Sequence, residues 1–213
     1  MSAVDRKSKA VIREENERLI LYAAEKVFAV HGFKGSTTNQ IAREAGLPKA
    51  NVHYYYSTKL KLYRCVLEDI LQDWMQAARV FETHAGPAVA LSRYIEAKMD
   101  LSRRRPYGSR VWAKEIISGA PVMQEALSSI LKTWVDECET TINRWVAERE
   151  INAVDAKALL YMIWATTQHY ADFDRQIELL NNGRSLSDQE FTEKKQQVTA
   201  LILASVGLQY AEN

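Results

Sequence analysis

In the stretch WATTQHYADF, residues 164–173, an indole, a primary amide and a carboxylate recur four residues apart: Trp164, Gln168 and Asp172. On a helix that spacing puts them on one stripe, with Thr167 and Ala171 beside it. The chemistry such a stripe can do is recognition rather than bond-breaking. An indole offers a flat wall for stacking. A primary amide carries an acceptor oxygen and two donor hydrogens, so Gln168 can pair with a ligand edge in which an N–H stands next to a C=O. The same residues also suit an ordinary core, with the Trp packed and the Gln satisfied internally, and the pattern leaves both readings open. His169 gains no role from spacing. The histidines at 31, 53, 84 and 169 are scattered, with no H-x-x-x-H pair, so no metal site is expected.

A second constellation lies in STTNQIAREAGLPKANVHYYYSTKLKLY, residues 36–63. Thr37 or Thr38 can cap a short helix whose buried side is Ile41, Ala42 and Ala45. Gly46 allows a sharp turn, Leu47 plugs it, and Pro48 precedes a second short helix, KANVHYYY. Two short helices joined by a glycine turn make a helix-turn-helix, whose second helix can enter the DNA major groove. Lys49, Ala50, Asn51 and His53 stand where base edges or phosphates would be met. Asn suits adenine and Lys suits guanine. Thr37, Thr38, Tyr54, Tyr55 and Lys59 can hydrogen-bond phosphates and set the register. Ser57 is the expected cap of the following helix, whose N-terminal N–H groups together with Lys59 can hold a phosphate. Val52 and Tyr56 are expected in the core.

These two regions need a scaffold, and the scaffold reads as all-α. Glycine and proline number 8 and 4 in 213 residues, and apolar residues recur at helical spacing throughout. Helices are expected at 10–31, 38–45, 49–55, 59–82, 87–103, 107–118, 121–150, 155–180 and 187–210. The first carries an apolar face of Ile20, Ala23, Ala24, Val27 and Phe28 and needs partners to bury it. The last two carry long apolar stripes that suit either a dimer interface or an intramolecular core. A division is expected into residues 1–58, a DNA-binding head whose first nine or so residues are flexible, and 59–213, a ligand-binding and dimerisation body.

Charge separates the same halves. Residues 1–64 hold 12 Lys/Arg against 6 Asp/Glu, whereas 65–213 hold 16 against 21. A basic head on an acidic body points to a polyanion as the head's partner. Cys65 and Cys138 stand alone, which argues against a structural zinc or a disulfide framework. No apolar run approaches the roughly 18 residues of a membrane span, and the charged N-terminus has no signal-peptide core. A soluble, cytoplasmic protein without a cofactor is expected. A hydrolase or transferase using His169 and Asp172 is the rival class, but there is no G-x-S-x-G and no Cys with a neighbouring His. A third possibility is that the head is a protein-interaction bundle.

The stretch AEKVFAVHGFKGSTTNQIAREAGLPKANVHYYYSTKLKLYRCVL resembles the DNA-binding head of the TetR family of bacterial transcriptional regulators. It carries F-x-x-x-G-F-x-G-[ST]-T, then I-A-x-x-A-G, then Y-x-[YF]-[FY]-x-[ST]-K-x-x-L. Tyr56 stands where phenylalanine is usual. The resemblance implies a homodimer on double-stranded palindromic operator DNA, with a helical body that binds a small molecule and controls affinity. LSRRRPYGSRVWAKEIISGAPVM (101–123) and YMIWATTQHYADF (161–173) are similar to the body of pyrimidine-responsive members, and Trp74 in ILQDW fits as a second aromatic wall. That similarity implies a pyrimidine base such as uracil or thymine, bound by Trp74, Trp164, Gln168 and Asp172. A body tuned to bulky hydrophobic drugs is the alternative within the family. Arg110 and Glu115 match the same pattern without an assigned role.

Overall fold

The computed structural model describes residues 3–82 and 86–210, with side chains described for 10–81 and 86–210; His84 lies outside them. Every regular element among the described residues is helical. The chain forms two compact units: residues up to Leu71 together with Arg110–Met123, and Gln72–Ser109 together with Gln124 onward. This division differs from a cut at 58/59, because residues 59–71 and 110–123 group with the head.

In the first unit, α1 (Ala3–Gly35) buries Ile20, Ala23, Ala24, Val27 and Phe28, the stripe expected from spacing. The helix does not stop at His31. It kinks at Gly32 (φ 67°, ψ 172°) and runs one turn further. The Ser36 hydroxyl holds the kink by donating to Gly32 O at 2.6 Å. α2 (Thr38–Glu44) starts on a capping box: the Thr37 hydroxyl accepts from Gln40 N, and the Gln40 side chain accepts from Thr37 N at 2.7 Å. Gly46, at φ 66°, lets the chain turn back so that Leu47 N reaches Ala42 O at 3.0 Å. α3 (Lys49–Tyr55) follows from Pro48, with Val52 and Tyr56 buried as expected.

α4 (Lys59–Ala78) is capped by Thr58, whose hydroxyl accepts from Lys61 N at 3.1 Å, and not by Ser57. Leu62, Tyr63, Val66, Leu67 and Ile70 of this helix are buried. A 3₁₀ turn, Arg79–Glu82, follows it.

In the second unit, α5 (Pro87–Arg104) and α9 (Ala156–Asp172) are packed together and share a core with α8 (Lys132–Ala147) and α11 (Asp188–Ser205). α5 and α9 are stitched twice: Trp164 Nε1 donates to the Tyr94 hydroxyl at 2.8 Å, and the Ser102 hydroxyl donates to Thr167 O at 2.8 Å. Around the first stitch lies an aromatic cluster of Phe81, Tyr94, Trp134, Trp145 and Trp164. α6 (Pro106–Ile117) supplies residues to both units.

Two expected long helices are interrupted. The helix expected at 121–150 begins at α7 (Gln124–Ala126), passes through a π turn at Leu127–Leu131 and becomes α8. Ser128 and Ser129 both donate to Glu125 O, at 3.1 and 2.7 Å, which is the kind of side-chain competition that bends helices. The helix expected at 155–180 breaks at Phe173 (φ −118°, ψ 28°), whose ring stacks on His169, and α10 (Asp174–Leu180) follows. The last helix ends at Ser205 rather than 210, where Val206 O accepts from Asn152 N at 2.8 Å. No helix among the described residues is long and apolar enough to cross a membrane.

Candidate functional site

The residues singled out in the head divide into an outward set and an inward set. Lys49, Ala50, His53 and Tyr54 are exposed on α3, Tyr54 at 77%. Asn51 is half-buried, as is Tyr55, whose hydroxyl accepts from Asn16 Nδ2 at 3.4 Å. The Tyr54 and Tyr55 rings meet edge to face at 5.2 Å. With Val52 and Tyr56 anchored in the core, α3 presents one polar, aromatic face, the property a groove-reading helix needs.

Thr37 spends its hydroxyl as the cap of α2 and donates it to Gln40 Oε1 at 2.9 Å, while Thr38 sits half-buried at the first position of that helix. Lys59 is tied to the end of α1. Its ammonium donates to Phe33 O at 2.7 Å and Ser36 O at 2.8 Å and lies 4.5 Å over the Phe33 ring. Two of its three N–H donors are thus taken by the end of α1, which leaves one for a phosphate. Lys114 does the same one turn earlier, donating to Ala29 O and Val30 O. Two cations therefore sit on the carbonyl end of α1, where the helix dipole favours them. Part of the head's basic excess is structural.

Glu115, unassigned from sequence, also holds the first unit together. It is buried; one carboxylate oxygen accepts from Val122 N and Met123 N and the other from the Tyr63 hydroxyl. Burial and that neighbouring carboxylate push the Tyr63 phenol well above its ordinary range. Arg110 is half-buried.

In the second unit the stripe of α9 is as the spacing demands. Trp164 lies parallel to Trp134, ring centroids 6.2 Å apart, with its N–H turned to Tyr94. Asp172 is half-buried and accepts from the Ser109 hydroxyl at 2.7 Å. Thr167 is buried, its hydroxyl turned back on Ile163 O. Gln168 is half-buried, and among the described residues its amide makes no hydrogen bond.

One residue of this region escapes a reading by motif. Lys98 of α5 is 3% exposed, and its ammonium lies 3.8 Å over the Trp74 ring. Burial draws it down to about 7, and the nearby Asp172 charge opposes that fall. Lys98 thus lies against Trp74 and within the electrostatic reach of Asp172, residues far apart in sequence. The signal was present: Leu91, Tyr94, Ile95, Lys98, Met99 and Ser102 form one buried helical face, and a lysine on such a face needs a reason. Among the described residues the Lys98 ammonium makes no hydrogen bond or ion pair, and no fully enclosed side-chain nitrogen or oxygen is left unpartnered. Its amine and the Gln168 amide therefore both open onto space that water reaches. No group of His, Cys, Asp and Glu among the described residues is arranged to hold a metal.

Known proteins carry the same organisation. Residues 20–66 match the family model for bacterial regulatory proteins of the tetR family, and residues 67–209 match the model described as YcdC-like protein, C-terminal region. The HTH-type transcriptional regulator RutR of Escherichia coli K12 is 34% identical over 201 residues, 94% of either chain. The HTH-type transcriptional repressor NicS of Pseudomonas putida is 35% identical over 97 residues, 45% of this chain and 46% of that one. Among solved structures, the ketosteroid regulator KstR2 of Mycobacterium tuberculosis superposes with a TM-score of 0.73 at 16% identity, over 89% of this chain and 94% of the other. A TetR-family regulator from Marinobacter aquaeolei gives 0.69 at 18% identity, over 91% and 97%. These relatives are transcriptional regulators and not enzymes, and with both halves of the sequence matched, the chain belongs to the TetR family of bacterial transcriptional regulators.

Proposed function

We propose that this regulator is a repressor that binds a palindromic operator as a homodimer and releases it when a pyrimidine base, uracil or thymine, enters the second unit beside α9. The genes under its control are then those of pyrimidine breakdown or uptake. The observation that carries the effector reading is Gln168: a half-buried amide with no protein partner, one turn from Trp164 and one turn from Asp172. A uracil edge offers the N–H beside C=O that such an amide pairs with, and ligands lacking that edge leave it unpaired at a cost of about 1–3 kcal/mol. The similarity of residues 101–123 and 161–173 to pyrimidine-responsive family members supports the same ligand class.

The DNA reading rests on the exposed face Lys49, Ala50, His53 and Tyr54, with Asn51, Tyr55, Thr37 and Thr38 at its margins. A dimer would hold two such helices about 34 Å apart, one turn of DNA. Its interface is suggested by α9, α10 and α11, which expose Tyr161, Met162, Leu179, Leu180 and Leu201, with Phe173 exposed between the first two. A second copy would cover that apolar surface in a four-helix arrangement.

Calorimetry with uracil, thymine, cytosine and a panel of hydrophobic drugs tests the effector class. Uracil or thymine should bind, and Gln168→Ala should weaken binding tenfold or more while leaving the melting temperature unchanged, since the amide supports nothing in the free protein. Binding of bulky drugs alone would replace pyrimidine by a multidrug reading.

A further inference from the structure

The Lys98 side chain makes no hydrogen bond in the free protein that would offset its burial. It ties no helices together by hydrogen bonds, as Tyr94 and Ser102 on the same face do. It has the Trp74 ring beneath it, and its nitrogen is not fully enclosed. A buried amine in that state waits for an acceptor. From this geometry we infer that Lys98 donates to an acceptor oxygen of the effector and takes up a proton as the effector binds, so that effector affinity falls as pH rises above neutrality. The inference rests on the effector site proposed beside α9.

The charged surroundings leave Lys98 free to respond. Asp172 on α9 is the charge that acts on it among the described residues, and its carboxylate already accepts from Ser109. Asp73, next to Trp74 on α4, is held by Arg105 at 2.7 Å. Asp100 on α5 is held by Lys195 from α11 at 2.8 Å. Neither neighbour is available to neutralise the amine. In the free protein burial draws Lys98 down to about 7, so it is largely uncharged at pH 8. A carbonyl oxygen placed against the amine favours the ammonium, because a hydrogen bond to the charged form is the stronger one. The proton comes from the buffer. A uracil or thymine ring has two carbonyl oxygens flanking one N–H, so Gln168 and Lys98 can share one ring between them. Cytosine, with an amino group in place of one carbonyl, loses one of the two partners.

The test is calorimetric titration of the full chain with uracil at pH 8 in two buffers of different ionisation heat. The difference between the two enthalpies counts the protons exchanged. Uptake approaching one proton per site is expected, roughly 0.9 for a group titrating near 7 that is fully charged when bound. The dissociation constant should weaken on the order of tenfold between pH 6.5 and 8.5, a range below uracil's own ionisation. Lys98→Met should bind more weakly with no proton exchanged. Should that variant fail to fold, the two-buffer comparison on the native chain decides alone. Tight, Gln168-dependent binding with no proton uptake would overturn the Lys98 inference and leave the effector site standing. No pyrimidine binding at any pH would overturn the effector reading and this inference with it.

Discussion

Lys98 makes a second, ligand-free prediction, because a buried amine that loses its proton on folding couples stability to pH. Its pKa stands at about 7 in the folded chain against an ordinary 10.5. Between those values the unfolded chain binds the proton and the folded chain does not, so stability increases with pH across that window. The contribution is complete above 10.5 and is lost as pH falls through 7. The slope for one proton is about 1.4 kcal/mol per pH unit. Between pH 7.5 and 8.5, where the folded amine is mostly neutral, the gain should be about 1 kcal/mol. Lys98→Met keeps the length of the side chain and removes the titration. The difference between native and variant stabilities, measured by urea unfolding at fixed protein concentration, should shift by that amount over that one pH unit. The variant should be the more stable of the two below pH 7, as when other desolvated charges give way to apolar residues. Parallel stability curves for native and Lys98→Met from pH 6.5 to 8.5 would refute the reasoning and mean that the amine is solvated and charged throughout.

Other substitutions separate reading from scaffolding in the head. Lys49→Ala and Tyr54→Ala should weaken DNA binding in a mobility-shift assay while leaving the melting temperature within a degree or two, since both side chains are exposed; unchanged binding would remove α3 from the interface. Lys59→Met should instead destabilise the head by about 1–3 kcal/mol in thermal unfolding, because Phe33 O and Ser36 O lose a charged donor. A Lys59→Met chain of native stability that bound DNA poorly would make that lysine a phosphate contact rather than a structural tie. Thr37→Ala should cost about 1 kcal/mol of stability through loss of the α2 cap, read by the same unfolding experiment.

What was legible in the sequence was what local chemistry decides. The limits of α3 follow from Pro48 and from a glycine that needs positive φ, and the stripe on α1 follows from helical spacing. The breaks at 127–131 and at Phe173 carry no glycine or proline. They coincide with two serine hydroxyls donating to one carbonyl and with a ring stacking on His169, which composition does not announce. Ser57 and Thr58 are chemically interchangeable as caps, and only geometry chooses Thr58. The tie of Lys59 to the end of α1 was hidden because a positive charge reads alike whether it faces solvent or a helix end. In the second unit the α9 stripe was visible as a period of four. That Gln168 has no partner, and that Lys98 lies over Trp74, are tertiary facts joining segments many residues apart.

The central claim is that one small molecule in the second unit loosens the grip of α3 on DNA. It is tested most directly by fluorescence anisotropy of a labelled duplex from upstream of the protein's own gene, titrated with the protein in the presence and absence of saturating uracil. Coupling between the two sites typically amounts to about 1–3 kcal/mol, so DNA affinity should fall about 5- to 150-fold with uracil. Gln168→Ala should bind the duplex as tightly as the native chain and ignore uracil at that concentration. Equal affinity with and without uracil in the native chain, or equal release of the Gln168→Ala variant, would contradict the account.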